Sequence, residues 1–214
     1  MSGLYVLKPW YAARLSRVRR VLVDRRVSPN TVTAVGVGFG AAAGLVLALR
    51  PPGLVTALMV GLLLAARLAC ANLDGGVARA SGRASRRGLV VNELGDRLAE
   101  LAVLAGLLAW TREGVGTLGT VDPVWVDALG WLIAPAWLVV AAALAASAPS
   151  WVALAGAAAG APRIQGGPVG KTERCVILVA IAATGWAGPL LLALIVGSLL
   201  TAGLRLAQLR SALS

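Results

Sequence analysis

The residues that could do chemistry are crowded into one stretch, Ala71 to Glu100, of a chain that is otherwise mostly Ala, Leu, Val and Gly. It holds Asp74, Glu93, Asp96 and Glu100, four of the nine acidic residues, together with Arg79, Arg83, Arg86, Arg87 and Arg97. Apolar runs flank it on both sides, and ionisable groups at membrane depth mark a functional site by default. Asn92, Asp96 and Glu100 are spaced by four and share one helix face. On an antiparallel helix pair, depth can be counted from the shared loop. At ~1.5 Å per residue Asp74 lies roughly 8 Å in from Arg79, and Asn92 and Asp96 roughly 6 and 12 Å in from Gly88. Carboxylates meeting at one depth, with no histidine in the chain and no thiolate cluster, suit a hard cation such as Mg²⁺. Such an ion works with a phosphate-bearing substrate. The loop arginines would grip the phosphate, and Gly75 and Gly88 would admit a ligand close to the backbone.

The elements that position these groups read as membrane spans. Of 214 residues 58% are hydrophobic and 14% charged, and mean hydropathy is +0.82. A soluble domain would carry about a quarter charged residues. The net charge of +11 reads as positive-inside bias and attraction to anionic lipid, not nucleic-acid binding, because the basic residues fall between apolar runs. Cys70 and Cys175 show neither metal-ligand spacing nor a disulfide framework, and the basic N-terminus is no secretory signal. The expected fold is an all-α integral membrane protein. Six transmembrane helices follow an N-terminal amphipathic helix, Tyr5 to Val27, lying on the membrane surface. Ser28 caps span one, with Pro29 in its first turn. The spans are Thr31–Leu49, Leu54–Arg79, Gly88–Trp110, Val124–Ala148, Thr172–Trp186 and Leu190–Leu206, each close to the roughly 20 residues a bilayer requires, though the fifth is short. Pro149 to Lys171 is expected as a connector and Gly188-Pro189 as a turn. Gly36, Gly40 and Gly44 recur every fourth residue, as close helix packing in lipid demands. The parts are thus a juxtamembrane segment, 1–30, a six-helix domain, 31–206, and a tail, 207–214. The Lys and Arg asymmetry places both termini in the cytoplasm of a multi-pass cell-membrane protein. Trp110, Trp125 and Trp186 are expected at outer ends, and Trp10 and Trp151 near the inner face.

The stretch resembles the signature of the CDP-alcohol phosphotransferases, D-x2-D-G-x2-A-R-x8-G-x3-D-x3-D. Asp74-Gly75-x2-Ala78-Arg79-x8-Gly88-x3-Asn92-x3-Asp96 follows its spacing, with Ala71 at the first aspartate and Asn92 at the third. Ser28-Pro29-Asn30 with Thr33 resembles the family's entry to span one, and Gly167 to Arg174 its basic segment before span five. The resemblance implies a phosphatidyl transfer from a CDP-linked lipid, CDP-diacylglycerol, to an alcohol acceptor, with release of CMP and dependence on Mg²⁺ or Mn²⁺. It implies Asp74 and Asp96 as metal ligands, with Asp96 also as general base. Asn92, through its amide oxygen, and Glu93 are further candidate ligands. Asn30, Thr33, Gly75, Ala78, Arg79 and Gly88 would contact the CDP moiety. Asp74 and Asp96 charge-match one divalent ion, and a second would depend on substrate phosphate. Lys171 and Arg174 are candidates for a phosphate on the acceptor, against simple positive-inside anchoring. The family's Tyr-Val-Arg at the end of span four is Trp151-Val152-Ala153 here.

Plainer readings compete. Asp74 and Asp96 could pair with Arg67 or Arg97, and Glu93 could simply face the loop. Arg67 and Glu100 lie at equal depth and are expected as a buried structural pair. GPVGKT is not a P-loop, because Gln165 stands where the first glycine belongs and no strand precedes it. The reading is completed by a homodimer with its site open to the cytoplasmic leaflet. The alternative is a non-catalytic protein of the same fold that binds CDP-lipid or regulates a partner. A small transporter is disfavoured, lacking inverted repeats and paired broken helices.

Overall fold

The computed structural model describes residues 13–112, 135–162 and 164–213. These form seven helices and no strand: α1 (Ser16–Asp24), α2 (Pro29–Leu49), α3 (Leu54–Ala80), α4 (Arg86–Arg112), α5 (Pro135–Ala158), α6 (Lys171–Thr184) and α7 (Ala187–Leu213). Four of them, α2, α3, α5 and α7, are long and apolar enough to cross a bilayer, as befits a membrane protein. Seven charged side chains interrupt α4. The 14 residues of α6 span only ~21 Å at ~1.5 Å per residue, short of the ~30 Å hydrocarbon core. The outward faces are apolar: Leu49, Leu54 and Leu62 are each more than 70% exposed. Water would penalise such a surface and lipid does not.

Helix α2 begins as its sequence dictates. Ser28 Oγ accepts from Thr31 N at 3.2 Å and Pro29 occupies the first helical position, where its missing N–H costs nothing. Its glycine ladder then lets it wedge between α3 and α4. A Cβ on Gly36 would meet Cys70 Cβ of α3 at 2.9 Å, and one on Gly40 would meet the Ala99 carbonyl of α4 at 2.8 Å. Lower down, Gly44 and Gly106 pass backbone to backbone. Because α2 fills this space, α3 and α4 pack extensively on α2 but little on each other. Their loop-proximal halves therefore bound a cleft. Away from it, α5 lies on α7 and α4, and α6 bridges α3 and α7. Val60, Leu64, Val103, Leu107, Ile181, Leu191 and Leu194 close the shared core.

The glycine crossing is testable. Gly106→Ala puts a methyl against the Gly44 carbonyl, where no flexible atom can yield. We expect a loss of about 1–3 kcal/mol, the usual cost of overpacking, read as a lower melting temperature in detergent. Gly38→Ala on the same helix has open space around its added methyl and should melt like the parent.

Several boundaries differ from the sequence-based expectation. Pro149 does not end α5, which continues to Ala158. A proline removes one helix hydrogen bond, and neighbouring helices make that tolerable in a membrane bundle. The connector therefore begins at 159. The turn between α6 and α7 lies at Gly185, left-handed at φ 76°, while Gly188 and Pro189 sit inside the first turn of α7. Residues 207–213 are the last turns of α7. Trp110 is 4% exposed within the core and belongs to no interfacial belt. Leu15 and Leu22 of the N-terminal segment pack on Val32, Cys70 and Leu73, so α1 rests against α2 and α3. The start of span four, most of the Thr111–Pro123 loop, and residues 1–12, with Trp10 and Trp125, lie outside the described residues.

Candidate active site

The last turns of α3 and the first turns of α4 deliver the two carboxylates that depth counting brought together. Asp74 is 3% exposed and Asp96 8%. Asp74 Oδ2 accepts from Thr33 Oγ1 of α2 at 3.1 Å, and its Oδ1 accepts from Gly75 N at 2.5 Å. Asp96 Oδ2 is paired with the ammonium of Lys171, the first residue of α6. Its backbone carbonyl accepts from Arg67 Nη2 at 3.1 Å. Thr33, Arg67, Ala71, Asp74, Asn92 and Asp96 line one small cavity.

A larger cleft adjoins this cavity and shares Thr33, Asp74 and Asn92 with it. Gly75, Ala78, Arg79 and Gly88 line the cleft. The Arg79 guanidinium folds back over Gly75: a Cβ there would lie 3.3 Å from its Nη1. Loop residues Arg83, Ser85 and Arg86 complete the rim. Ser85 was not singled out from the sequence, although its position three residues before Gly88 is a capping signal. Its Oγ accepts from Gly88 N at 3.0 Å, which fixes the start of α4.

Other expected residues lie elsewhere. Asn30 is exposed on the first turn of α2 and lines neither cavity, and Glu93 lines neither. The expected Arg67–Glu100 pair is not formed. Glu100 is held instead by Arg174 of α6 (Nε to Oε1, 2.5 Å) and by Arg97 (Nη1 to Oε2, 2.7 Å). These contacts are ionic, their angles falling outside hydrogen-bond geometry. Arg67, at the same depth but turned towards α6, donates to the Asp96 carbonyl and to Cys175 Sγ at 3.8 Å. Arg174 is 4% exposed and paired with Glu100. Asp74 and Asp96 are likewise not paired with Arg67 or Arg97 through their carboxylates.

Two carboxylates and one amide oxygen make a hard, oxygen-only donor set that fits one divalent cation. Among the described residues no group of three or more His, Cys, Asp or Glu side chains is gathered that would hold a cluster.

Neither a protein-family model nor a curated protein matches this chain in sequence. Solved structures do match it in fold. The phosphatidylinositol phosphate synthase PgsA1 of Mycobacterium tuberculosis, in complex with manganese and citrate, superposes with a TM-score of 0.68 at 20% identity, over 92% of this chain and 89% of that one. The same synthase with CDP-DAG bound gives 0.65 at 21% identity over 92% and 93%. Its apo form gives 0.62 at 20% over 92% and 96%. Over nearly its whole length, then, this chain has the fold of that phosphatidylinositol phosphate synthase.

Proposed function

We propose that this chain is a membrane phosphatidyltransferase of phospholipid synthesis, moving the phosphatidyl group of CDP-diacylglycerol to an alcohol with release of CMP. The observation that carries the proposal is the meeting of Asp74 and Asp96 beneath a cleft lined by Gly75, Ala78, Arg79 and Gly88. The relative that shares this fold binds manganese and CDP-DAG, which supports the same chemistry here. The signature positions Ala71 and Asn92 are then replacements of two family aspartates.

Each residue has a defined task on this reading. Arg79, Arg83 and Arg86 at the rim bind the diphosphate by charge-assisted hydrogen bonds. Gly75 and Gly88 leave room for the nucleotide against the backbone. Asp74, Asp96 and the Asn92 amide oxygen would hold one Mg²⁺ or Mn²⁺. When bound, that ion supplies positive charge to the diphosphate oxygens as negative charge builds up on them. Thr33 fixes the Asp74 carboxylate. Asp96, which pairs with Lys171 through Oδ2 in the ligand-free chain, takes the proton of the acceptor hydroxyl. The acceptor oxygen bonds to the lipid-bearing phosphorus. The bond from that phosphorus to the CMP oxygen breaks, and CMP departs with the electron pair.

Six spans with both termini cytoplasmic complete the proposal, with α4 and the short α6 counted beside the four long apolar helices. Residues 1–30 run along the inner membrane surface, and the protein assembles as a homodimer. A non-catalytic CDP-lipid binder is the second reading, favoured by the presence of only two carboxylates in the cavity. The two separate in one assay. Purified protein with CDP-diacylglycerol and Mn²⁺ should release CMP, chelation should stop it, and glycerol phosphate, inositol phosphate or serine supplied in turn should identify the acceptor. Tight CDP-lipid binding without CMP release under any of these conditions selects the binder.

A further inference from the structure

Lysine 171 is delivered into the site by a built arrangement. The segment before it is held to α7: Val169 N donates to Thr201 Oγ1 at 3.0 Å, and Arg205 Nε donates to the Gly166 carbonyl at 2.9 Å. Thr201 is fully buried. Gly167 passes so close to the Thr201 side chain, at φ 120°, that no other residue fits there. Glu173 Oε2 then accepts from Gly170 N at 2.9 Å and fixes the first turn of α6. The ammonium that emerges from this turn pairs with Asp96 Oδ2.

A second cation faces the same cavity. Arg67, 5% exposed, lines it, and its Nε has no hydrogen-bond partner. Asp74 and Asp96 are thus already balanced by Lys171 and Arg67 before any ligand arrives. Ala71 adds a methyl to the wall and Asn92 a neutral amide. One divalent ion then leaves two positive charges to meet a diphosphate. A second would bring two dications together in a partly desolvated pocket whose two carboxylates, Asp74 and Asp96, are already balanced by Lys171 and Arg67, an arrangement strongly disfavoured at low dielectric.

We propose that Lys171 stands in for a second divalent cation, so that this site holds one Mg²⁺ or Mn²⁺ and the ammonium of Lys171 supplies the other positive charge to the substrate diphosphate. This deepens, and rests on, the phosphatidyltransferase reading. An ammonium is a compact point charge on a flexible stem and can leave Asp96 for a phosphate oxygen. The device also accounts for the loss of two acidic side chains from the wall: with a fixed monovalent cation in place, fewer carboxylates are required.

The test is Mn²⁺ stoichiometry and affinity in the purified full-length protein, by electron paramagnetic resonance, with and without CDP-diacylglycerol. Wild type should bind one Mn²⁺ per chain in both conditions, with no spin-coupled pair. Lys171→Met, by freeing Asp96, should bind its Mn²⁺ at least about tenfold more tightly in the lipid-free state, the scale on which one adjacent charge acts on a carboxylate. Lys171→Arg, which keeps the charge, should behave as wild type. The triple variant Lys171→Met, Ala71→Asp, Asn92→Asp should bind two Mn²⁺ with a coupled spectrum. Two coupled ions in wild type with lipid overturn the stand-in and leave the phosphatidyltransferase reading intact. Unchanged affinity in Lys171→Met, or a single ion in the folded triple variant, also overturns it. No Mn²⁺ in any variant overturns both.

Discussion

Asp96→Asn is expected to cut CMP release by roughly 10²- to 10⁴-fold, the range that a positioned acid or base contributes, while the protein melts near the wild-type temperature. The carboxylate has two duties on our account, as cation ligand and as the group that takes the acceptor proton. An amide keeps the shape and can still accept from Lys171 through its oxygen, but it has neither the charge nor the basicity. The side chain lines the cavity beside Asp74, so the loss falls on a group that both ligates the cation and faces substrate. Normal turnover by the purified variant would remove Asp96 from the mechanism and return it to a purely structural role with α6.

Glu100→Gln is expected to cost about 3–5 kcal/mol, as truncating one partner of a buried ionic cluster does. Among the described residues Glu100 is the acid that contacts both Arg97 and Arg174, and it sits 8% exposed. Neutralising it leaves two guanidinium groups facing each other in a dry interior. Glu100→Gln combined with Arg174→Met should recover part of the loss, whereas Glu100→Gln combined with Arg67→Met should not. Thermal melts in detergent decide the matter: equal recovery by Arg67→Met would show that the coupling runs through Arg67 after all.

This pairing shows what a linear reading captures and what it misses. Counting residues from the shared loop placed Asp74 with Asp96, and Arg67 with Glu100, at matching depth. Both depths hold, because helical rise is nearly constant. Depth carries no information about azimuth, which is set by the tertiary crossing. With α2 wedged between α3 and α4, Arg67 turns towards Cys175 and the Asp96 backbone, and Glu100 is taken by Arg174 from a helix more than seventy residues on. The same gap hid the Lys171–Asp96 contact. That contact depends on Thr201 and Arg205 pinning the segment before α6, and nothing local to GPVGKT announces them.

The glycine ladder was legible because Gly36, Gly40 and Gly44 repeat at helix period and such spacing has one structural use in lipid. The cleft residues Gly75, Ala78, Arg79 and Gly88 were legible for a different reason: they stand at signature positions of the family that the stretch resembles. Pro149 misled, since a proline amid alanines reads as a stop and here sits within a helix that packs along its length on α7. Trp110 misled because tryptophan near a span end is so often interfacial. Here the indole is buried in the core, and its Nε1 has no hydrogen-bond partner.

A structure of the protein determined with CDP-diacylglycerol and Mn²⁺ tests the central claim most directly. The account predicts the diphosphate between α3 and α4, one manganese ion bridging it to Asp74 and Asp96, Lys171 Nζ on a phosphate oxygen, and the cytidine against Gly75, Ala78 and Arg79. A lipid bound elsewhere on the molecule, or a diphosphate in the cleft with no cation near either aspartate, would contradict it.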